Sequence, residues 1–197
     1  MSRPIAFFDF DGTVTTKDSL LEFIKYCKGN TSFYWGFLLH APVLIAYRLK
    51  IISNQRAKEI MLSYFFKKMT VEEFNGRCDA FLKEVMPTLI RPKAMKEIQK
   101  LQEAGAEIAV VSASPENWVA KWCEQMKLTC IATRLIVKEN KITGSISGKN
   151  CYGTEKVRRI NEAYDLSSYS VIYCYGDTAG DRPMLSLGKH AFYKPFR

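Results

Sequence analysis

Ile5-Ala-Phe-Phe-Asp-Phe-Asp-Gly-Thr13 is the stretch around which the rest of the chain is read. Ile5 to Phe8 is a continuous apolar run, the pattern of a strand covered on both faces in a parallel sheet. The run stops at Asp9, and Asp11, Gly12 and Thr13 follow before any further apolar run. Carboxylates at the end of a buried strand are costly to desolvate unless a cation or hydrogen bonds compensate them. In open α/β sheets that edge is also where ligands bind.

Two more apolar runs end in polar chemistry. Ile108-Ala-Val-Val111 reaches Ser112, and Val171-Ile-Tyr-Cys-Tyr175 reaches Gly176-Asp177-Thr-Ala-Gly-Asp181. Helical patterns separate the runs. One opens at Pro92 and closes at Gly105, and one starts at Ser114-Pro115, with Ser114 as N-cap, and turns Val119, Trp122 and Met126 inward. A third runs from Gly153-Thr154 through Lys156 and Ile160 to Tyr164. Strands joined by helical crossovers form a parallel sheet, so the fold expected is a doubly wound α/β core with Asp9, Ser112 and Asp177 on one edge. Cys130 to Val137 and Ile142 to Ile146 read as a strand followed by a hairpin or flap, and a short helix through Met184 and a strand near Ala191 to Tyr193 complete the core.

The segment 16–87 has a different pattern. Helices are expected from Asp18 to Cys27, ended by Gly29-Asn30, then within Thr31 to Tyr47, from Asn54 to Lys68, and from a Thr70-Val-Glu-Glu73 capping box to Pro87. Four helices without a strand read as an all-helical cap inserted into a core of residues 1–15 and 88–197. Thr31 to Tyr47 carries no formal charge, but it falls short of the roughly 18 to 20 residues of a membrane span, and His40 and Pro42 interrupt it. It is read either as a buried helix of the bundle or as a helix lying in a membrane surface. Between Phe23 and Val71 eight Lys and Arg residues stand against Glu59 alone, which suits peripheral contact of the cap with an anionic membrane.

The chain has 197 residues, 47% hydrophobic and 25% charged, with a net charge of +9. These values fit one globular domain with an insertion and an anionic partner. Nucleic acid is not expected, since there is no zinc-finger spacing, RNP-like aromatic motif or Gly-rich clamp loop. The six cysteines are scattered without CxxC or Cys/His spacing, so reduced thiols in the cytoplasm are expected, and no signal peptide precedes the first strand.

Clustered carboxylates with no histidine nearby suit a hard, oxygen-ligated cation, most naturally Mg²⁺, which commonly shares its coordination with phosphate. A serine hydroxyl, backbone N–H groups and a lysine suit phosphate, and a carboxylate can attack phosphorus. Asp9-Phe-Asp-Gly-Thr13, Ser112, Lys156 and Gly176-Asp177-Thr-Ala-Gly-Asp181 resemble, in order and spacing, the four motifs of the haloacid dehalogenase-like superfamily. The helical insertion resembles its subclass IB, which contains phosphoserine phosphatase. That resemblance implies a Mg²⁺-dependent phosphatase in which Asp9 is nucleophile and metal ligand. Asp11 is general acid and base, and its carbonyl is a metal ligand. Lys156 neutralises charge, Asp177 and Asp181 serve the metal, and Gly12, Thr13, Ser112 and Ala113 surround the phosphate.

Two departures bear on the substrate. Phosphoserine phosphatases follow the second-motif serine with two glycines, where this chain has Ser112-Ala-Ser-Pro115, and they carry a glutamate at the position of Asp18. A looser similarity to phosphatidylglycerophosphatase C, through the apolar cap stretch and Gly153-Thr-Glu-Lys-Val157, implies a lipid-like or amphipathic phosphate such as phosphatidylglycerophosphate. The alternative substrate is a small soluble phosphate resembling phosphoserine. The non-enzymatic alternative is a membrane-surface binding module on the same fold.

Overall fold

In the computed structural model, described over residues 2–197, β1 (Ile5–Phe8) is buried along its whole length. Its side chains alternate between two apolar clusters, Ala6 and Phe8 on one face and Ile5 and Phe7 on the other. Only a strand covered on both faces needs an unbroken apolar run, and this explains the composition of the motif's first half. β2 (Glu107–Pro115) divides Ile108 and Val110 from Ala109 and Val111 in the same way.

The five-stranded sheet has the order β3-β2-β1-β6-β7, with β3 at Thr129–Thr133, β6 at Ile172–Gly176 and β7 at His190–Tyr193. Every neighbouring pair is parallel, and α6 (Pro92–Glu103) and α7 (Glu116–Gln125) cover one face with Ile98, Leu101, Trp118 and Trp122. The other face is covered by α8 (Thr154–Ala163) and α9 (Arg182–Leu185) through Ile160, Met184 and Leu185. This is the doubly wound architecture expected. Chain order reverses at β1, which lies between β2 and β6, so the cleft beyond its carboxyl end is the switch point where such sheets bind ligands.

Between β1 and β2 run α1 (Ser19–Leu39), α2 (Ala41–Arg48), α3 (Asn54–Phe66), α4 (Val71–Glu84) and the short α5 (Met86–Leu89). The expected signals operate. The Asp18 side chain caps α1 by accepting from Leu21 N–H, and Thr70 and Glu73 form the capping box of α4. Gly29, at φ 76° and ψ 162°, interrupts α1 where a stop was read, and the helix resumes beyond it. Phe23 lies at the centre, its ring 5.4, 5.4 and 5.3 Å from those of Phe66, Phe74 and Phe81 and 4.7 Å from Trp118 of α7.

Two readings from the sequence change. Cys130 to Val137 is not one strand: β3 pairs with β2 in the main sheet, whereas β4 (Leu135–Lys138) turns away to pair antiparallel with β5 (Lys141–Ile146). That hairpin lies against α3 and the turn after it, with Lys68 N–H donating to Ile142 O at 3.3 Å and Ile142 N–H to Met69 O at 2.9 Å. Ser114 does not cap α7. It stays extended in β2, Pro115 takes the cap position, and the Ser114 hydroxyl bonds elsewhere.

Candidate active site

Parallel register carries the three strand ends to one edge. Phe8 pairs with Val110 on one side and Tyr175 on the other, and Asp9 N–H donates to Tyr175 O at 2.9 Å. The next residues of β1 and β6 are therefore neighbours. One carboxylate oxygen from each of Asp9, Asp177 and Asp181 lies within 4.8 Å of the others, and all three residues are buried. Gly12, at φ +81°, is packed so closely on the Asp177 carboxylate that a Cβ there would overlap it. Only glycine combines that dihedral with that space.

Lys156 is the cation of this cluster. It lies in the first turn of α8, is 1% exposed, and donates to Asp9 Oδ1 at 2.5 Å and Asp181 Oδ1 at 2.7 Å. Burial opposes its charge, but Asp9 and Asp181 outweigh that and hold the ammonium protonated. The Asp181 carboxylate is also satisfied by Thr178, whose N–H donates to Oδ2 at 2.9 Å and hydroxyl at 2.8 Å. Burial pushes Asp181 up, but the lysine and these donors bring it below the usual carboxylate value.

Asp9 is different. Burial is the largest influence on it, Lys156 offsets part, and the charges of Asp181 and Asp11 add to the rise, so its pKa moves from 3.8 to about 7. A carboxyl that binds its proton more tightly when folded stabilises the fold below its unfolded pKa and loses that contribution as pH rises through the folded value. In EDTA, the stability of Asp9→Asn relative to the parent should therefore grow between about pH 4 and about pH 7, measured by urea unfolding. A difference constant across that window would show that Asp9 titrates normally.

Asp11 faces the same cavity but its carboxylate is held apart from the cluster. Ser19 N–H donates to Oδ1 at 2.7 Å and the Ser114 hydroxyl to Oδ2 at 2.6 Å, with the Ser112 hydroxyl more distant at 3.5 Å. Ser19 Oγ lies 3.3 Å from Ser114 Oγ and accepts from the Trp118 indole N–H at 2.9 Å, which fixes the arrangement from below.

The cavity over these residues has a volume of about 370 Å³. Of the residues singled out from sequence, Asp9, Asp11, Gly12, Asp18, Ala113, Lys156, Asp177 and Asp181 line it. Ser112 and Thr13 do not. Both lie beneath it, the Thr13 hydroxyl donating to Asp9 Oδ2 at 3.2 Å and the Ser112 hydroxyl accepting from Ser114 N–H at 3.0 Å. A larger groove of about 510 Å³ between β3 and α8 contains Arg134, Arg158 and Glu162 but none of these carboxylates.

Among the lining residues not singled out from sequence, four bear on the site's chemistry. Ser114-Pro115 carries a helix-cap signal, and Lys58 is one of many cations in its stretch of sequence. Asn54 and Lys58, four apart on α3, present one face to the cavity. Lys58 donates to Ala113 O at 2.9 Å, and burial lowers its pKa against the pull of Asp18 and Asp11. Asp18 lies at the solvent-exposed rim, where desolvation by the cavity wall and the Asp11 charge push its carboxyl up, with Lys58 opposing. The fourth is Arg197, which donates to Asp177 Oδ2 at 2.5 Å. Nothing in the spacing of these residues aims them inward; tertiary packing does.

Comparison with known proteins bears on this geometry. The sequence pattern of the haloacid dehalogenase-like hydrolases matches residues 6–186. The chain belongs to that family. It is 34% identical to the protein CicA of Caulobacter vibrioides, over 96% of this chain and 85% of CicA. It is 29% identical to a probable phosphatase of Mycobacterium tuberculosis, over 96% of this chain and 68% of that one. Its fold superposes on a phospho-aspartyl intermediate analogue of phosphoserine phosphatase with a TM-score of 0.69 at 19% identity, covering 95% of this chain and 84% of the other.

Proposed function

We propose that the protein is a Mg²⁺-dependent phosphomonoester hydrolase that works through an aspartyl-phosphate on Asp9, with residues 1–15 and 88–197 as the catalytic core and 16–87 as the cap. The observation that carries this reading is the buried Asp9–Lys156–Asp181 ion pairing beside Asp177 at the floor of the cavity. The naming of the Mycobacterium relative as a phosphatase and the likeness to phosphoserine phosphatase support it.

The donor set fits Mg²⁺. All its groups are oxygens, and Asp177 Oδ1 is buried without any hydrogen-bond partner, an orphan acceptor that a cation would satisfy. Asp9, Asp177 and the Asp11 carbonyl would hold the ion, with Asp181 in support. Bound there, Mg²⁺ supplies positive charge to the phosphoryl oxygens.

The chain's own residues do the rest. Asp9 attacks phosphorus and the ester P–O bond breaks, while Asp11 gives its proton to the leaving oxygen. Water then attacks the aspartyl-phosphate, Asp11 takes its proton, and the Asp9–phosphorus bond breaks to release inorganic phosphate. Lys156 offsets the negative charge gathered between Asp9 and the phosphoryl group. Ser114 and Ser19 N–H keep the Asp11 carboxylate aimed into the cavity. Gly12 and Ala113 line the phosphate's position, and Thr13 and Ser112 steady Asp9 and the β2 turn beneath it.

Most of the lining residues carry charged or polar side chains, with Ala113 and Tyr152 among the exceptions. A phosphorylated head group fits such a space, and an attached apolar portion would remain outside. We therefore place a lipid-like or amphipathic phosphate, such as phosphatidylglycerophosphate, ahead of a small soluble one. The second reading, a phosphoserine-like substrate, draws on the opposite charges of Asp18 and Lys58 in the lining of one cavity, which suit a zwitterion. The six cysteines are free, and the reading places the enzyme in the cytoplasm.

Release of phosphate from a generic aryl phosphate with Mg²⁺, and its loss in EDTA with recovery on adding Mg²⁺ back, is the expected result. Turnover indifferent to EDTA would overturn the metal-dependent mechanism. Ser114→Ala is expected to lower kcat by about 10-fold or more, since a hydrogen bond to a charged group is worth ~1.5–3 kcal/mol. Steady-state kinetics on the same substrate measure it, and an unchanged kcat would remove Ser114 from the role of holding Asp11.

A further inference from the structure

The second half of α1 buries one side and leaves the other apolar, and α2 and the turn after it, none of whose residues is fully buried, carry further exposed apolar side chains. Phe33 is buried against Phe37, and Gly36 is so close to Phe65 and Tyr64 that no side chain would fit between them. The opposite side presents Tyr34, Trp35, Leu38 and Leu39, and Ile45 of α2 is followed beyond that helix by Leu49 and Ile51; all seven are 58–72% exposed. Thr31, Tyr34, Trp35 and Leu38 line a shallow groove of about 180 Å³ on this side. Single exposed apolar residues are ordinary, but seven large ones within eighteen residues need a partner.

Charge selects that partner. No Asp or Glu occurs from Phe23 to Lys58, while Lys25, Lys28, Arg48, Lys50, Arg56 and Lys58 do, and Arg48 and Lys50 are exposed beside Leu49 and Ile51. A two-fold contact between copies would set these cations against themselves. No helix among the described residues is long and apolar enough to cross a membrane. Apolar side chains, aromatic rings with polar edges and flanking cations are what an anionic bilayer surface takes up.

We propose that this face docks on the surface of an anionic lipid bilayer, with Trp35, Leu38, Leu49 and Ile51 entering the acyl boundary and Arg48 and Lys50 meeting the head groups. The face adjoins the mouth of the cavity. Tyr47 of α2 accepts at its hydroxyl from Asn54 Nδ2 at 3.0 Å, and Asn54 lines the cavity wall. A head-group phosphate at the bilayer surface is thereby brought beside Asp9. This goes beyond the phosphatase reading and does not require it.

Co-sedimentation with phosphatidylserine–phosphatidylcholine vesicles at low salt tests it without any turnover. Binding is expected to anionic vesicles and not to pure phosphatidylcholine, with a blue shift of Trp35 fluorescence, since Trp118 and Trp122 are already buried. Lys50→Gln should weaken binding by about fivefold, and Leu38→Glu with Ile51→Glu by at least about tenfold. Turnover of a soluble aryl phosphate should be unchanged in each variant. No binding at low salt, binding indifferent to the Leu38→Glu/Ile51→Glu pair, or a lipid-free dimer that shields Trp35 in sedimentation velocity would each overturn the proposal, whatever the enzyme assay gives.

Discussion

Replacing Asp9 by Asn is expected to reduce aryl phosphate turnover by at least about 10³-fold, since removal of a nucleophile leaves only binding and charge stabilisation. The fold should survive. Asn has nearly the shape of Asp, Thr13 can still donate to its carbonyl oxygen, and Lys156 keeps its bond to Asp181 at 2.7 Å. Circular dichroism and single-turnover kinetics with labelled substrate check the result together. A folded Asn variant that still traps phosphate covalently, or turns over within tenfold of the parent, would move the nucleophile to another residue.

Lys156→Met should be the most damaging substitution for stability, costing ~3–5 kcal/mol in EDTA, because breaking a buried ion pair from one side leaves the other charge uncompensated. Asp9 and Asp181 both rely on this one ammonium, and Asp177 lies beside them. Mg²⁺ should restore more stability to the variant than to the parent, since the cation then meets carboxylates with no lysine to share them. Urea unfolding with and without Mg²⁺ measures both effects. A loss of under about 1 kcal/mol would show that the carboxylates are neutral when the site lacks its metal.

How much could be read from the chain depended on whether a residue's role is set locally. β1 needed an unbroken apolar run because both its faces are covered, so its end at Asp9 was visible. The convergence of Asp9 and Asp177 followed from parallel topology. Gly12 was visible as part of the motif, but its reason, the Asp177 carboxylate against its Cα, was not. Ser114 carries the sequence mark of a cap because Ser-Pro is a strong helix-start signal, whereas the partner that takes its hydroxyl, Asp11, lies 103 positions away in sequence. Lys58 and Asn54 were invisible for a related reason: a helical face carries no mark of what it will be packed against. In the opposite direction, Gly29 interrupts its helical run as predicted, yet the chain re-enters a helix at once because Phe33 packs on Phe37 and Phe37 on Phe65.

The stacking of Phe23 on Trp118 joins helices and sheet into one apolar body. A single buried cluster includes Ala6, Phe8 and Val110 of the sheet together with Met61, Phe66 and Phe81 of the inserted helices. Neither part has a complete hydrophobic interior when separated from the other, so the polypeptide is expected to melt as one cooperative unit, and the helices cut out of it would turn Phe23, Phe66 and Phe81 toward water.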